Sequence, residues 1–139
     1  MLSRHHSRRL GHERGQTAVE FALIAPILIA LLLGVVQAGI AFHNYLSVTD
    51  AARAVARKAI LVRLTPLTQS QINQIADNAS PDLDASQLTA TVTPDPSDPT
   101  FTTAGSTISV TVTYPYHLSL FGIPVIDGTL TSTMKDRLE

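Results

Sequence analysis

The chain of 139 residues contains no cysteine, which excludes both a disulfide framework and a thiolate metal site. Many exported bacterial domains also lack disulfides, so this absence does not assign a compartment. The net charge is −1, and no overall field favours nucleic acid or an acidic partner. No glycine-rich phosphate loop occurs, and neither His43 nor His117 has a Ser, Cys, Asp or Glu partner at a recognised motif spacing. Catalysis has little to rest on; no catalytic residue, metal or cofactor is expected. The most consequential absence is of charge, because no residue from Phe21 to Phe42 is ionisable.

That run of roughly 22 residues, at 1.5 Å each, spans about 33 Å, the thickness of one bilayer core. Arg4, Arg8, Arg9 and Arg14 crowd its N-terminal side with His5, His6 and His12, opposed only by Glu13. The positive-inside rule then holds the N-terminus in the cytoplasm and sends the rest across. The same rule accounts for the basic leader without nucleic-acid binding, and its histidines read as part of the leader rather than as metal ligands. The alternative is a secretory signal peptide cleaved near Val36-Gln37-Ala38. Against it, the run exceeds a typical h-region and helical patterning continues past it. Pro26 is tolerable within a membrane helix. Gly34 and Gly39 are small positions that ordinary transmembrane composition explains, although another helix can approach there.

Beyond Phe42, Tyr45, Val48, Ala52, Val55, Ala59 and Val62 form a helical seam, and Asp50 precedes Arg53 by one favourable helical spacing. One helix is expected from near Gln16 to about Leu64, stopped by Thr65-Pro66. A shorter helix follows from Thr68 to Asn78, with Ile72 and Ile75 inward and Ser80-Pro81 closing it. The period then changes to two. Leu88, Ala90 and Val92 alternate with threonines, as do Ile108, Val110, Val112 and Tyr114; Leu130 and Met134 share one face of Thr129 to Lys135. These predict strands with one apolar face each, in an antiparallel sheet laid on a helix. The fold class is α+β: a long transmembrane-plus-amphipathic helix, a short helix and a small antiparallel sheet of about three strands. The stretch "TPDPSDPTFTTAGS" reads as an exposed loop, where Asp95 and Asp98 serve turns rather than calcium.

One acid interrupts this economy. Glu20 stands at the threshold of the apolar run, where a charge in hydrocarbon costs about 2.5–3.5 kcal/mol. A helix-start glutamate favoured by the macrodipole is one explanation. A basic leader ending in Gly15, then Gln16-Thr17-Ala18-Val19-Glu20-Phe21 and an apolar run, matches the processing signature of type IV prepilins. The fuller run "ERGQTAVEFALIAPILIALLLGVVQAGIAFHNYLSVTDAARAVARKA", Glu13 to Ala59, resembles the TadE-like minor pilins (pseudopilins) of the Tad/Flp, or tight-adherence, pilus system. Gln16 departs from the phenylalanine or methionine common there in other type IV pilins and is consistent with the Tad branch.

The resemblance implies a leader, 1–15, removed by a prepilin peptidase that reads Gly15, Gln16, Glu20 and Phe21. It implies a transmembrane helix, 16–42, and an extracytoplasmic head, 43–139. The freed amine of Gln16 and the Glu20 carboxylate would then dock neighbouring subunits. The implied site is the bacterial cytoplasmic membrane, single-pass, with possible incorporation into a surface pilus. The implied partners are the peptidase, other Tad pilins and the assembly platform, with no nucleic acid. Assembly or priming of the pilus is the implied role, and adherence comes from the family only. Two other readings stay open: a single-span envelope protein whose head binds a ligand or partner, and a secreted protein with a cleaved signal.

The connection "YHLSLFGIPVIDG", Tyr116 to Gly128, is unusually apolar. Leu118, Leu120, Phe121, Ile123, Val125 and Ile126 either fold back over the sheet or helix, the favoured option, or form an exposed interaction patch. Gly122 and Pro124 argue against regular structure through its middle.

Overall fold

A computed structural model of the chain describes residues 9–61, 65, 67–103, 105–120 and 122–137. The leader residues Arg4, His5, His6 and Arg8, the seam residue Val62 and the helix end expected near Leu64 lie outside them. The chain divides into two units, the second beginning at Ala38. The long helix α1, Arg9–Leu61, contributes to both. It begins before the expected Gln16. No proline lies between Arg9 and Gln16, and adding residues to an existing helix is far cheaper than nucleating one, so Gly11 and Gly15 do not stop it. Pro26 lies inside α1.

In the second unit α1 becomes one-sided. Val48, Ala51, Ala52, Val55, Ala56 and Ala59 are buried, a stripe at spacings of three, four, seven, eight and eleven from Val48. The stripe is broader than the expected seam because Ala51 and Ala56 flank it, whereas Tyr45 stays exposed. Alanine suits the position twice, as the best helix former and as a small side chain that permits close approach. Asp50 Oδ1 lies 3.3 Å from Arg53 Nη1, both exposed.

The second helix, α2, spans Gln69–Ala79. Thr68 caps it: the hydroxyl accepts from the Gln71 amide at 3.4 Å, and Gln71 Oε1 accepts from the Thr68 amide at 2.9 Å. This reciprocal box satisfies two donors that a helix start leaves open. At the other end the buried Ser80 hydroxyl donates to the Ala76 carbonyl at 2.8 Å, and Pro81 follows. Ile72 and Ala76 are buried, and Gln69 Nε2 donates to the Ala90 carbonyl at 2.8 Å.

Three antiparallel strands, β1 (Thr89–Thr93), β2 (Thr107–Leu120) and β3 (Ile123–Arg137), form a sheet in that order. Ala90 pairs with Val112, Val92 with Val110, and Val110 with Met134. Those residues and Ile108 form the core face with the α1 stripe, Ile72 and Ala76. The opposite face carries threonines in register: Thr91 opposes Thr111, which opposes Thr133, with the last two hydroxyls 3.1 Å apart. Period-two alternation therefore divides core from solvent as expected.

The segment between β1 and β2 departs from an exposed loop. Asp95 accepts from the Ser97 hydroxyl at 2.6 Å and its amide at 2.8 Å, which tightens the turn and holds its carboxyl below the usual carboxylate value. A 3-10 turn at Pro99–Thr102 follows and delivers Phe101 to the core, fully buried; Pro96 is buried too. A small sheet and an alanine-rich helix leave room for one large ring, and this turn supplies it. Phe101→Ala should cost about 3–5 kcal/mol, whereas Thr103→Ala at the exposed end should stay within about 0.5 kcal/mol. Chemical denaturation of the full chain in detergent checks this by tyrosine fluorescence. Tyr45, Tyr114 and Tyr116 all lie in the second unit and no tryptophan masks them.

Candidate functional site

The first candidate surface is the N-terminal part of α1. Among the described residues, Gly15–Leu61 holds the one span long and apolar enough to cross a membrane. Its apolar side chains point outward on every side: Phe21, Leu23 and Ile27 are each about two-thirds exposed (67%, 69% and 67%). In water such a surface has no compensation, and in hydrocarbon it needs none. A helix is also one of the two structures that satisfy every backbone group inside a bilayer.

Glu20 is exposed at the start of this run. Its Oε1 accepts from Gln16 Nε2 at 3.1 Å, one helical turn back. The structure thus brings together two of the predicted site residues, Gln16 and Glu20, and leaves Phe21 open. Gly15 lies inside α1, and a Cβ built there meets nothing within 4 Å. Helix propensity would favour alanine at such a position by about 1 kcal/mol. The fold makes no demand for this glycine.

The second candidate surface is the tip of the β2–β3 hairpin, and here the sequence expectation is corrected. Tyr116 to Gly128 is not an irregular connection folded back over the sheet. β2 and β3 run through it, with Tyr116 opposite Gly128, Leu118 opposite Ile126 and Leu120 opposite Ile123. Gly122 has φ +79, the left-handed backbone that a two-residue hairpin turn requires. The glycine read as a breaker is the turn itself. Pro124 is accommodated because β3 is an edge strand and the register shifts beside Leu118/Ser119. Tyr116 lays its ring against Gly128, where a Cβ would fall 2.5 Å from the nearest ring carbon. Gly128 thus leaves the room that the ring occupies, and a larger residue there would displace Tyr116.

Ile123, Val125 and Ile126 are exposed at 67%, 55% and 51%, and Leu118 is half-buried. Phe121 lies outside the described residues, as does the side chain of Leu120. The tip is an exposed apolar patch, the arrangement that marks contact sites on soluble surfaces.

Register also creates contacts that spacing concealed. His117 Nδ1 lies 2.8 Å from Asp127 Oδ1 across the hairpin, and His43 Nε2 lies 3.5 Å from Asp82 Oδ2. Both pairs are exposed. Continued alternation through Tyr114, Tyr116 and Leu118 was the sequence signal for the longer hairpin, and hence for the first pair. No signal linked His43 to Asp82. No group of three or more His, Cys, Asp or Glu able to hold a metal occurs among the described residues.

Residues 15–57 match the family model for TadE-like protein. Over this segment, less than a third of the chain, the sequence is similar to that family. The match is consistent with a TadE-like pilin of the Tad/Flp system and points to a protein associated with the Tad pilus. That family is structural rather than catalytic. With its single N-terminal apolar helix, the TadE-like segment fits membrane anchoring in a pilin. No curated protein and no solved structure matches the chain.

Because the hairpin tip lies outside the core, Ile123→Ser combined with Val125→Ser should leave the denaturation midpoint nearly unchanged, within about 0.5 kcal/mol per site. Val112→Ala, on the core face of the same sheet, should lower stability clearly, by about 1–3 kcal/mol. Equal losses for the two would place the tip in the core after all.

Proposed function

We propose that this chain is a minor pilin, or pseudopilin, that supports assembly or priming of a Tad/Flp pilus. In this reading a prepilin peptidase removes residues 1–15 on the cytoplasmic side. Residues 16–42 remain in the cytoplasmic membrane, and residues 43–139 form an extracytoplasmic head. The observation that carries the reading is where the TadE-like match starts: at Gly15, a glycine the helix does not need, five residues before the acid of an otherwise uncharged run. A demand from outside the fold, such as a peptidase site, accounts for both.

Cleavage after Gly15 leaves the α-amine of Gln16 free. In an apolar setting the Glu20 carboxylate of a neighbouring subunit attracts that amine strongly, and leaving either charge alone costs several kcal/mol. Glu20 therefore acts between subunits, as a docking group that penalises a misplaced neighbour. The Gln16–Glu20 hydrogen bond within one chain is the resting arrangement that docking replaces. The exposed hairpin tip serves as a further contact surface for the assembled pilus.

Two measurements test the reading. Gly15→Ala should reduce maturation by a co-expressed Tad-type peptidase, and a bulky replacement should abolish it, leaving the full leader mass on the protein. An unchanged mass of the natural chain in the presence of peptidase would remove the processing claim. Glu20→Ala should insert into the membrane as well as the natural chain or better, because a charge costing about 2.5–3.5 kcal/mol in hydrocarbon is gone. Piliation should nevertheless fall sharply; normal piliation would assign Glu20 to the helix dipole alone.

A further inference from the structure

The charges of the second unit are segregated. From Leu64 to Met134 the chain has no lysine or arginine, yet carries Asp77, Asp82, Asp84, Asp95, Asp98 and Asp127. Among the described residues the cations of the second unit lie at two places, Lys135 and Arg137 at the end of β3 and a denser group on the last turns of α1. There Arg53, Arg57 and Lys58, with Asp50, Ala54, Leu61 and Ile75, line an open groove of about 550 Å³. Asp50 pairs with Arg53. Among the described residues no carboxylate pairs with Arg57 or Lys58, and both are exposed. Like charges one turn apart on a helix repel, so this groove gains from an external anion.

We infer that the Arg53–Lys58 groove of one copy receives the Asp82–Asp84 loop of a second copy displaced along the α1 axis. The inference rests on the reading of the chain as a pilus subunit and adds a head-to-head contact that the docking of Glu20 does not supply. Charge complementarity selects the occupant, since the chain itself carries the acidic surface that the groove lacks. Position selects the loop. Asp82 lies 3.5 Å from His43, which marks where the acidic loop meets α1. At 3.6 residues per turn and 1.5 Å per residue, His43 lies roughly four turns, about 21 Å, before Arg57 and on nearly the same face. A side-by-side copy shifted by that amount and turned about half a revolution around the axis brings its acidic loop level with the groove and facing it.

The loop is suited to the contact. Asp84 accepts from the Ser86 hydroxyl at 2.7 Å, the Ser86 amide at 2.9 Å and Gln87 Nε2 at 3.3 Å. These bonds fix the carboxylate and lower its pKa, chiefly through the Ser86 hydroxyl. Because groove and loop occupy different places on the head, the contact is heterologous. Each copy keeps one unfilled groove and one unfilled loop, so the contact propagates rather than closing a dimer.

The natural chain has no cysteine, which makes disulfide trapping clean. Two differently tagged full-length copies are expressed in one membrane, one with Ala54→Cys in the groove wall and the other with Ala85→Cys beside Asp84. Oxidation should give a mixed dimer in preference to either homotypic dimer. Adding Arg57→Glu should lower its yield roughly fivefold, the scale of one or two exposed ion pairs, and Asp84→Arg in the partner should restore it. Leu32→Cys in both copies reports association through the apolar helix. A Leu32 dimer without the mixed dimer overturns the inference and leaves the pilus reading standing. Absence of both overturns the two together. A dominant Ala54–Ala54 dimer, or a mixed dimer indifferent to Arg57→Glu, also overturns it.

Discussion

One helix has to satisfy two environments, and the rest of the molecule depends on how α1 does so. Apart from the one bond that Pro26 cannot donate, its interior backbone answers its own hydrogen bonds, which is what hydrocarbon requires. Its side chains change their rule along the way. Up to Phe42 the apolar residues face every direction, with no preferred side to bury. From Val48 onward one stripe is buried, and Asp50, Arg53, Arg57 and Lys58 stand exposed outside it. A uniformly apolar helix has no use for a partner in the same chain, whereas a striped one cannot leave its stripe in water. The sheet, α2 and the Phe101 turn are the cover that the stripe requires.

That cover is small, and its details follow from the shortage of volume. The helix contributes mostly alanines, so the sheet's valines and isoleucines can approach closely, and one phenyl ring from the loop completes the cluster. The ends of α2 are held by hydrogen bonds through Thr68, Gln71 and Ser80, with Leu67 and Leu83 buried in the core on either side. The hairpin continues past the end of β1, which pairs only as far as Thr113 on β2. Beyond that point the apolar alternation of the strands has less of the fold to cover it. The exposed tip is the consequence, with Tyr116 over Gly128 at its base.

What the sequence made legible divides along the same lines. The apolar span, the extent of α2 and the core faces of the strands each rest on a physical signal carried by several neighbouring residues. The two errors in the head arose where one residue type serves two purposes. Gly122 and Pro124 break an interior strand, but glycine also makes a hairpin turn, and proline is at home on an edge strand beside a register shift. Phe101 sits among prolines and aspartates that mark a turn, and nothing in the spacing says that the turn points inward. The pair His117–Asp127 follows from register once the alternation is carried to the turn, whereas His43–Asp82 depends on tertiary position, which no local window contains. At the N-terminal site the spacing of Gly15 and Glu20 is a local signal, and among the described residues the carboxylate's hydrogen-bond partner is its helical neighbour Gln16.

The extent of the TadE-like match reflects how many demands each residue carries. It runs from residue 15 to residue 57, beginning at a glycine that the fold does not require and ending within the striped part of α1. Inside these limits a side chain must suit hydrocarbon, or keep the helix continuous, or stay small beneath a sheet, and few residue types meet each demand. The strands ask for less. Any β-branched residue suits a core position, and any threonine or serine suits the outer face, so period two is satisfied by many sequences. A head built on alternation alone can therefore fold without a recognisable motif. Its specificity has to reside in features that alternation leaves free. In this chain those are the placement of charge, with a group of cations on the last turns of α1 and Asp82 and Asp84 on the loop after α2, and the apolar tip carried beyond the sheet.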